Sequence, residues 1–484
     1  MAIVCTMAEA IVIPESMRRC WPKMARMALT GLVGAGVLAT AGLAAAQTDT
    51  PARVTFTKHI APILQRSCQG CHRPGSIGPM PLITYQDARP WARSIKLKTS
   101  QREMPPWFIE KNVGIQKFKD DPSLGDEEIA LIAKWVDSGA PQGDPAEMPP
   151  ARVFTDTSRW TIGEPDLVVT SPEHTLKAVA ADWYGLLDSS AIGLTEDRYI
   201  KAVEVREVRL KEASAVRRAA GDLSLFLVHH AVITSRERLP DDVIVTQTQS
   251  SSPQRRGDSD AFSLTYEVGQ NATIYPDDLG VRLKAGSSLN WDLHLHSMGI
   301  EMPFKIEVGF KLHPPGYRPK YTETGGLESF LTFDLDIPQG EPNVKLEGIM
   351  RVAKPGMLAT FEPHLHSSGK RMCVDAIYPS GFAETLNCAG YNHNWVKVYV
   401  YQDDVAPLLP VGTLLKVTAW YDNTARNPRV VDPRNWKGYG NRSIDDMFLN
   451  LSRFVAMTNE QYKEAVAARQ ARQRVRQSTA QQQP

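Results

Sequence analysis

Cys68-Gln69-Gly70-Cys71-His72 places two thiols three residues apart, with an imidazole directly after the second. Thiols at that spacing can each form a thioether to a heme, and the adjacent histidine can ligate its iron, so the pentapeptide reads as a covalent heme-attachment site. Downstream, histidines recur in pairs: His229-His230, His294 with His296, and His364 with His366. In a strand, side chains at i and i+2 project from one face, so His-x-His can offer two imidazoles to one ion without strain. Adjacent histidines diverge, and His229-His230 can share a metal only where a strand bulges or ends, or by using different ring nitrogens. Imidazole clusters suit copper or zinc better than hard cations, and a thioether moves the choice towards copper because sulfur is soft. Met447, directly after Asp445-Asp446, supplies such a thioether.

These groups need rigid elements to hold them. Residues 56–66 carry Ile60, Ile63 and Leu64 on one helical face and run straight into Cys68. A second helical period follows at 126–136 through Ile129, Ile132 and Val136, and Gly139-Ala140-Pro141 stops it. Between the two lies Arg102-Glu103-Met104-Pro105-Pro106-Trp107, from which a thioether can reach the open side of a heme iron. The proline-rich stretch 144–159 reads as a linker. Beyond it, Phe304, Ile306, Val308, Phe310 and Leu312 alternate with Lys305, Glu307, Gly309 and Lys311, a half-buried strand. Segments 199–208, 223–233, 396–401 and 413–421 are similar, separated by Gly, Pro and Asp turns, which indicates β-sandwiches. A polar break at 336–343 divides them into two. At the end, Thr458 and Gln461 form a capping box for a helix over 458–477, whose Arg469, Arg472, Arg474 and Arg476 read as a solvated charge run before a disordered tail.

With 484 residues, the chain has room for about three domains. Its 55 basic and 54 acidic side chains create no global field for polyanions, so nucleic-acid binding has no support. Arg18, Arg19, Lys23 and Arg26 precede an apolar stretch, 27–43, that ends in Ala44-Ala45-Ala46, so residues 1–46 read as an export signal. The expected location is the periplasm, with no membrane association after cleavage. Cys5 and Cys20 leave with the signal. Cys373 and Cys388 flank the turn Tyr378-Pro379-Ser380-Gly381, and facing hairpin strands would bring them within disulfide range in an oxidising compartment. The alternative is two unpaired buried thiols.

In motif order, residues 54–143 resemble class I cytochromes c. The resemblance implies a heme c held by Cys68 and Cys71, with His72 as proximal ligand and Met104 as distal ligand; Met80, in Gly78-Pro79-Met80-Pro81, is the rival. Over about 160–455 the order His229-His230, a strand-end histidine, His364 with His366 before Ser367-Ser368-Gly369-Lys370, then Asp445-Asp446-Met447, resembles the copper type II, ascorbate-dependent monooxygenases. That family includes the peptidylglycine α-hydroxylating and dopamine β-monooxygenases. The resemblance implies two coppers, one held by His229, His230 and His296 and the other, the catalytic one, by His364, His366 and Met447. His296 is preferred to His294 because it closes its strand just before Ser297-Met298-Gly299. His393, in Tyr391-Asn392-His393-Asn394-Trp395, reads either as a substrate-cleft residue or as a surface histidine, and His59, His174 and His313 are assigned no role.

The implied architecture is multidomain: a small all-α cytochrome c domain at 54–143, the linker, two all-β jelly-roll-like sandwiches at 160–340 and 341–457, and a tail at 458–484. The implied activity is hydroxylation of a C–H bond with dioxygen in a small organic substrate bound between the sandwiches. In that scheme the fused heme passes electrons from a periplasmic donor to the three-histidine copper. The alternative is a copper-binding electron-transfer protein without oxygenase activity. A fused copper nitrite reductase needs a cysteine beside histidine and methionine at a type 1 copper, a setting that neither Cys373 nor Cys388 has.

Overall fold

Helical periodicity in the first part of the chain and alternation afterwards separate a small helical region from a much larger β region. The computed structural model describes residues 53–74, 78–154, 160–211, 226–237, 262–269, 272–276, 278–321, 324–326, 335–440, 442 and 444–481. The expected export signal, with Cys5 and Cys20, lies outside the described residues.

The helical region contains α1 (Ala61–Ser67), entered through one wider turn at Phe56–Ile60, then α2 (Tyr85–Ala88), α3 (Ala92–Ser100) and α4 (Asp126–Asp137). Two of them, α2 and α4, start where the sequence supplies a partner for free N–H groups. Thr84 and Asp87 exchange reciprocal bonds at the start of α2, and the Glu128 carboxylate reaches back to the Gly125 N–H at the start of α4. The faces they share bury Phe56, Ile60, Leu64, Ile132 and Trp135 completely. Each such side chain contributes roughly 1.5–3 kcal/mol by leaving water.

The first β half contains β1 (Leu167–Thr170), β2 (His174–Leu176), β3 (Trp183–Ala191), β4 (Arg198–Arg209), β5 (Val228–Glu237), β6 (Ser263–Glu267), β7 (Thr273–Ile274), β8 (Val281–Leu283), β9 (Ser287–Leu295) and β10 (Met302–Leu312). They form two sheets. One has the order β1-β10-β4-β7, with β2 on β10 and β8 on β4, and the other has the order β3-β9-β5-β6. As the alternation requires, Phe304, Ile306, Val308 and Phe310 of β10 are all buried.

The second half contains β11 (Thr324–Gly326), β12 (Val344–Arg351), β13 (Gly356–Leu358), β14 (Thr360–Phe361), β15 (Pro363–His364), β16 (Gly369–Ile377), β17 (Ala383–Gly390), β18 (Tyr399–Val400), β19 (Leu408–Leu409), β20 (Leu414–Tyr421), β21 (Leu449–Asn450) and β22 (Arg453–Ala456). Its two four-stranded sheets run β12-β20-β16-β17 and β11-β22-β13-β19, with the short pairs β14-β18 and β15-β21 beside them. Cys373 and Cys388 face each other in the β16–β17 ladder and are bonded as a disulfide.

Three segments sit differently from their sequence assignment. β11 falls within 160–340 by sequence but completes a sheet of the second half, pairing Thr324 with Val455. Trp107, Ile109 and Phe118, within 54–143, belong to the core of the β region: Ile109 bridges Ala389, Phe118 bridges Tyr401, and Trp107 meets Tyr399 edge-on at 4.9 Å. These apolar side chains have no helical period to bury them locally, so they are buried against β17 and β18. The stretch after 143 lies against the helical region, with Lys58 pairing with Glu147 at 2.9 Å and Arg152 donating to the Gln65 carbonyl.

The last helix, α5 (Asn459–Gln481), starts at the expected capping box between Thr458 and Gln461 but continues past residue 477. Arg469 donates to the carbonyls of Ala406 and Asp403, and Arg476 pairs with Asp404, so part of the arginine run is docked on the β region. Among the described residues, no helix is long and apolar enough to cross a membrane.

Candidate metal centre

The adjacent histidines occur where the strand is irregular. In the β5–β9 ladder the register slips between Val228 and His230, so His229 is the extra residue of a bulge. That distortion lets both rings of His229-His230 face the same neighbourhood. The strand's entry is held by Glu207 on β4, whose carboxylate accepts from the Leu227 N–H at 2.7 Å and the Val228 N–H at 2.8 Å, while Arg209 pairs with its other oxygen at 3.0 Å. Burial pushes the Glu207 carboxyl up, against Arg209 and these N–H groups. Replacing Glu207 by alanine leaves two backbone N–H groups without their acceptor just before the bulge. A loss of about 2 kcal/mol is expected, read by chemical denaturation, together with weaker metal binding; unchanged metal affinity would show that Glu207 does not position the bulge.

The rings from the first half form a connected group. His229, His294 and His296 each offer a ligand atom within 4.8 Å of the others, and His229, His230 and Glu267 do the same. His294 Nδ1 lies 3.2 Å from His230 Nδ1, so His230 joins the first group through His294. Beneath them Asp182 bridges two rings, 3.1 Å from His294 Nε2 and 2.8 Å from His296 Nδ1. Burial alone would raise the Asp182 carboxyl, yet the bonds from His294 and His296 carry it well below the carboxylate range. A carboxylate accepts only, so it holds the proton on His296 Nδ1. Burial, reinforced by neighbouring imidazoles, lowers His230 to about 3 and holds His229 well below its usual value.

His364 and His366 come from the second half. β15 pairs with β21 through Pro363↔Asn450 and His364↔Leu449, and the Leu451 N–H donates to the Glu362 carbonyl in the same register. Met447 is buried and lies two residues before Leu449, the partner of His364. His366 Nδ1 bonds the Arg442 carbonyl at 3.1 Å, which leaves its Nε2 free, and burial lowers the ring to about 4 despite that bond. Asp446 is buried between these strands, taking a bond from Ser368 Oγ at 2.5 Å and lying 3.7 Å from Lys437 Nζ. Burial pushes its carboxyl up to about 6 although Lys437 and Ser368 draw it down. His364 Nδ1 lies 3.5 Å from Glu267 Oε1, and burial, reinforced by Glu362, pushes the Glu267 carboxyl well up.

The two halves' histidines meet instead of facing each other across a cleft. His229 and His366 ring centroids are 6.3 Å apart, and His393 fills the corner between them at 4.6 Å from His229 and 5.4 Å from His366. His393 is therefore buried, at 8% exposure, and is not a surface histidine. Among the described residues, His229 Nδ1, His364 Nδ1, His366 Nε2 and His393 Nδ1 are buried without a hydrogen-bond partner. His393, Asp182, Glu207 and Glu267 were not assigned from sequence. Only His393 carried a signal, as a ring within an Asn- and Trp-flanked turn.

At the Cys68-Gln69-Gly70-Cys71-His72 motif, α1 delivers Cys68 half-buried and Cys71 exposed. Burial pushes the Cys68 thiol up to about 12 and also raises Cys71, so neither is a stabilised thiolate. His72 Nδ1 donates to the Met80 carbonyl at 3.1 Å, which fixes the tautomer. This bond puts the Met80 backbone on the side of the ring away from Nε2. Met104 is half-buried and lines a small cavity with Thr99, Arg102, Leu124 and Ile129, apart from the thiol motif.

No known family profile matches the chain, and no curated protein sequence matches it. One solved structure similar to it is the PBSX exported protein XepA, at 8% identity over 57% of this chain and 92% of that one, with a TM-score of 0.13. A likeness so slight carries no argument.

Proposed function

We propose that this chain is an exported copper-dependent monooxygenase that hydroxylates a C–H bond of a small organic molecule with dioxygen, its electrons arriving through a covalently attached heme. In this reading the helical region, 54–143, is a cytochrome c domain and the two halves of the β region are jelly-roll-like copper sandwiches. The observation that carries it is the convergence of three paired-histidine motifs from both halves on one buried place. Buried polar atoms without partners cost roughly 1–3 kcal/mol each, and a bound cation is the natural partner for the ring nitrogens left over here. Imidazole with one thioether is a donor set for copper.

His229, His230 and His296, with His294 as the rival third ring, would hold one copper, and His364, His366 and Met447 the other. Cys68, Cys71 and His72 would hold the heme. When bound, copper supplies the one-electron chemistry of dioxygen and heme supplies a stored electron. Asp182 and the Arg442 carbonyl keep a proton on the outer nitrogen of His296 and His366, so each ring presents its lone pair inward. Hydroxylation takes R–H, dioxygen, two electrons and two protons to R–OH and water, and a one-electron periplasmic carrier would deliver the electrons singly.

A second reading, a copper electron carrier, draws on the burial of His364 and His366, at 3% and 1% exposure. Copper-loaded full-length protein offered a panel of organic substrates and labelled dioxygen separates the two. One labelled oxygen atom in a product supports the monooxygenase. Bound copper without substrate-dependent oxygen uptake supports the carrier. For the heme, the Met104→Leu variant is expected to lose the thioether-to-iron charge-transfer band and Met80→Leu to keep it; the reverse pattern reassigns the distal ligand.

A further inference from the structure

His393 lies on the turn that follows β17, where the Asn392 side chain accepts from the Asn394 N–H at 3.1 Å. The turn is tied to both halves. Tyr391 donates its hydroxyl proton to the carbonyl of Leu365, between His364 and His366, and the Val396 N–H donates to the Val268 carbonyl at 3.0 Å. Thus positioned, His393 Nε2 stands 2.9 Å from His229 Nε2. Two nitrogens each about 2.0–2.1 Å from one ion stand about 2.9 Å apart when they subtend a right angle. Both rings are buried, and the Nδ1 of each has no hydrogen-bond partner among the described residues.

We propose that His393 is a metal ligand: it joins His229 on one copper and so links the two β halves through a single ion. The proposal rests on the copper reading above. It adds a ligand that the family resemblance does not supply, and it raises the imidazole count on that ion from three to four. In the copper reading, electron delivery to this ion would oxidise ferrous heme by one electron and reduce cupric copper by one, the heme being re-reduced by the one-electron carrier.

The test uses the heme-containing full chain loaded with Cu(II). Pulsed EPR of the wild type is expected to count four imidazoles on one of its copper signals. His393→Phe, which keeps a planar ring, should lose one imidazole from that signal, weaken copper at least 10-fold and shrink the rise in Tm on copper addition. His393→Gln should behave alike, whereas Asn394→Ala on the same turn should leave the signal unchanged. In a stopped-flow experiment on prereduced heme, loss of His393 should slow heme oxidation by copper at least 10-fold. Three imidazoles in the wild type, or an unchanged count and affinity in His393→Phe, overturn the proposal while leaving the copper reading intact. A wild-type chain that binds no copper overturns both. Four imidazoles without substrate-dependent oxygen uptake sustain the ligand and redirect the function to electron transfer.

Discussion

His230 and His366 are expected to make metal-free protein lose stability as the pH falls below 6.5, by up to about 2.7 kcal/mol per pH unit near pH 5, opposed by the buried carboxyls of Glu362 and Glu267, which burial pushes up. The source is the buried histidine cluster. Burial lowers His230 to about 3 and His366 to about 4, and it also holds His229, His364 and His393 well below their ordinary value. Once unfolded, each ring titrates near 6.5, so between 6.5 and the folded values the unfolded chain binds more protons. Depressed folded pKa values mean that the stability is fully present above 6.5 and is lost as the pH falls towards 4 and then 3. Each proton taken up on unfolding gives a slope of about 1.4 kcal/mol per pH unit, and His230 and His366 alone account for two. Against a typical total of roughly 5–15 kcal/mol, this is a large fraction of the stability. Urea titrations at pH 7, 6 and 5 measure this, and equal stability at 7 and 5 would remove the argument. His366→Gln should flatten the slope by about one proton. Copper at a hundredfold excess over its Kd should add about 2.7 kcal/mol at pH 7 and less in acid, because protons compete for the same nitrogens.

Loss of the disulfide should have the next largest effect. Cys373 and Cys388 are 15 residues apart and face each other across β16 and β17. Closing a loop of that size restricts the unfolded chain by about 3 kcal/mol. The same hairpin supports residues 107–119: the Glu110 N–H donates to the Cys388 carbonyl and the Ile115 N–H to the Leu386 carbonyl, both at 2.9 Å, and Arg371 pairs with Glu110. The Cys373→Ser, Cys388→Ser double variant should therefore unfold about 3 kcal/mol more easily, a fall of roughly 6–12 °C if the second half unfolds as a unit of 150–250 residues. It should also release 107–119 to proteolysis first. Two free thiols in the oxidised wild-type protein, or an unchanged Tm in the variant, would contradict this.

What could be read in advance was local. The helix at Asp126–Asp137, the capping box at Thr458, the alternation in β10 and the facing cysteines of one hairpin each depend on residues a few positions apart. The condition set on His229-His230, that the strand bulge or end, is local too, and the slipped register meets it. Domain limits were less legible. Trp107, Ile109 and Phe118 left their sequence neighbours for the core of the β region, and β11 joined a sheet beyond the expected boundary, because such segments are placed by burial against distant strands.

By itself, the sequence offered candidate heme and metal ligands and the short elements that carry them, since thioether spacing and the i, i+2 geometry of strands are properties of the backbone over a few residues. Tertiary structure alone decided that both histidine sets share one buried place, that Asp182 orients two rings and that His393 stands 2.9 Å from His229. These are meetings across 112 to 164 residues of chain. They depend on which ladders pair and which faces bury together, and the total burial free energy of the whole fold sets that choice.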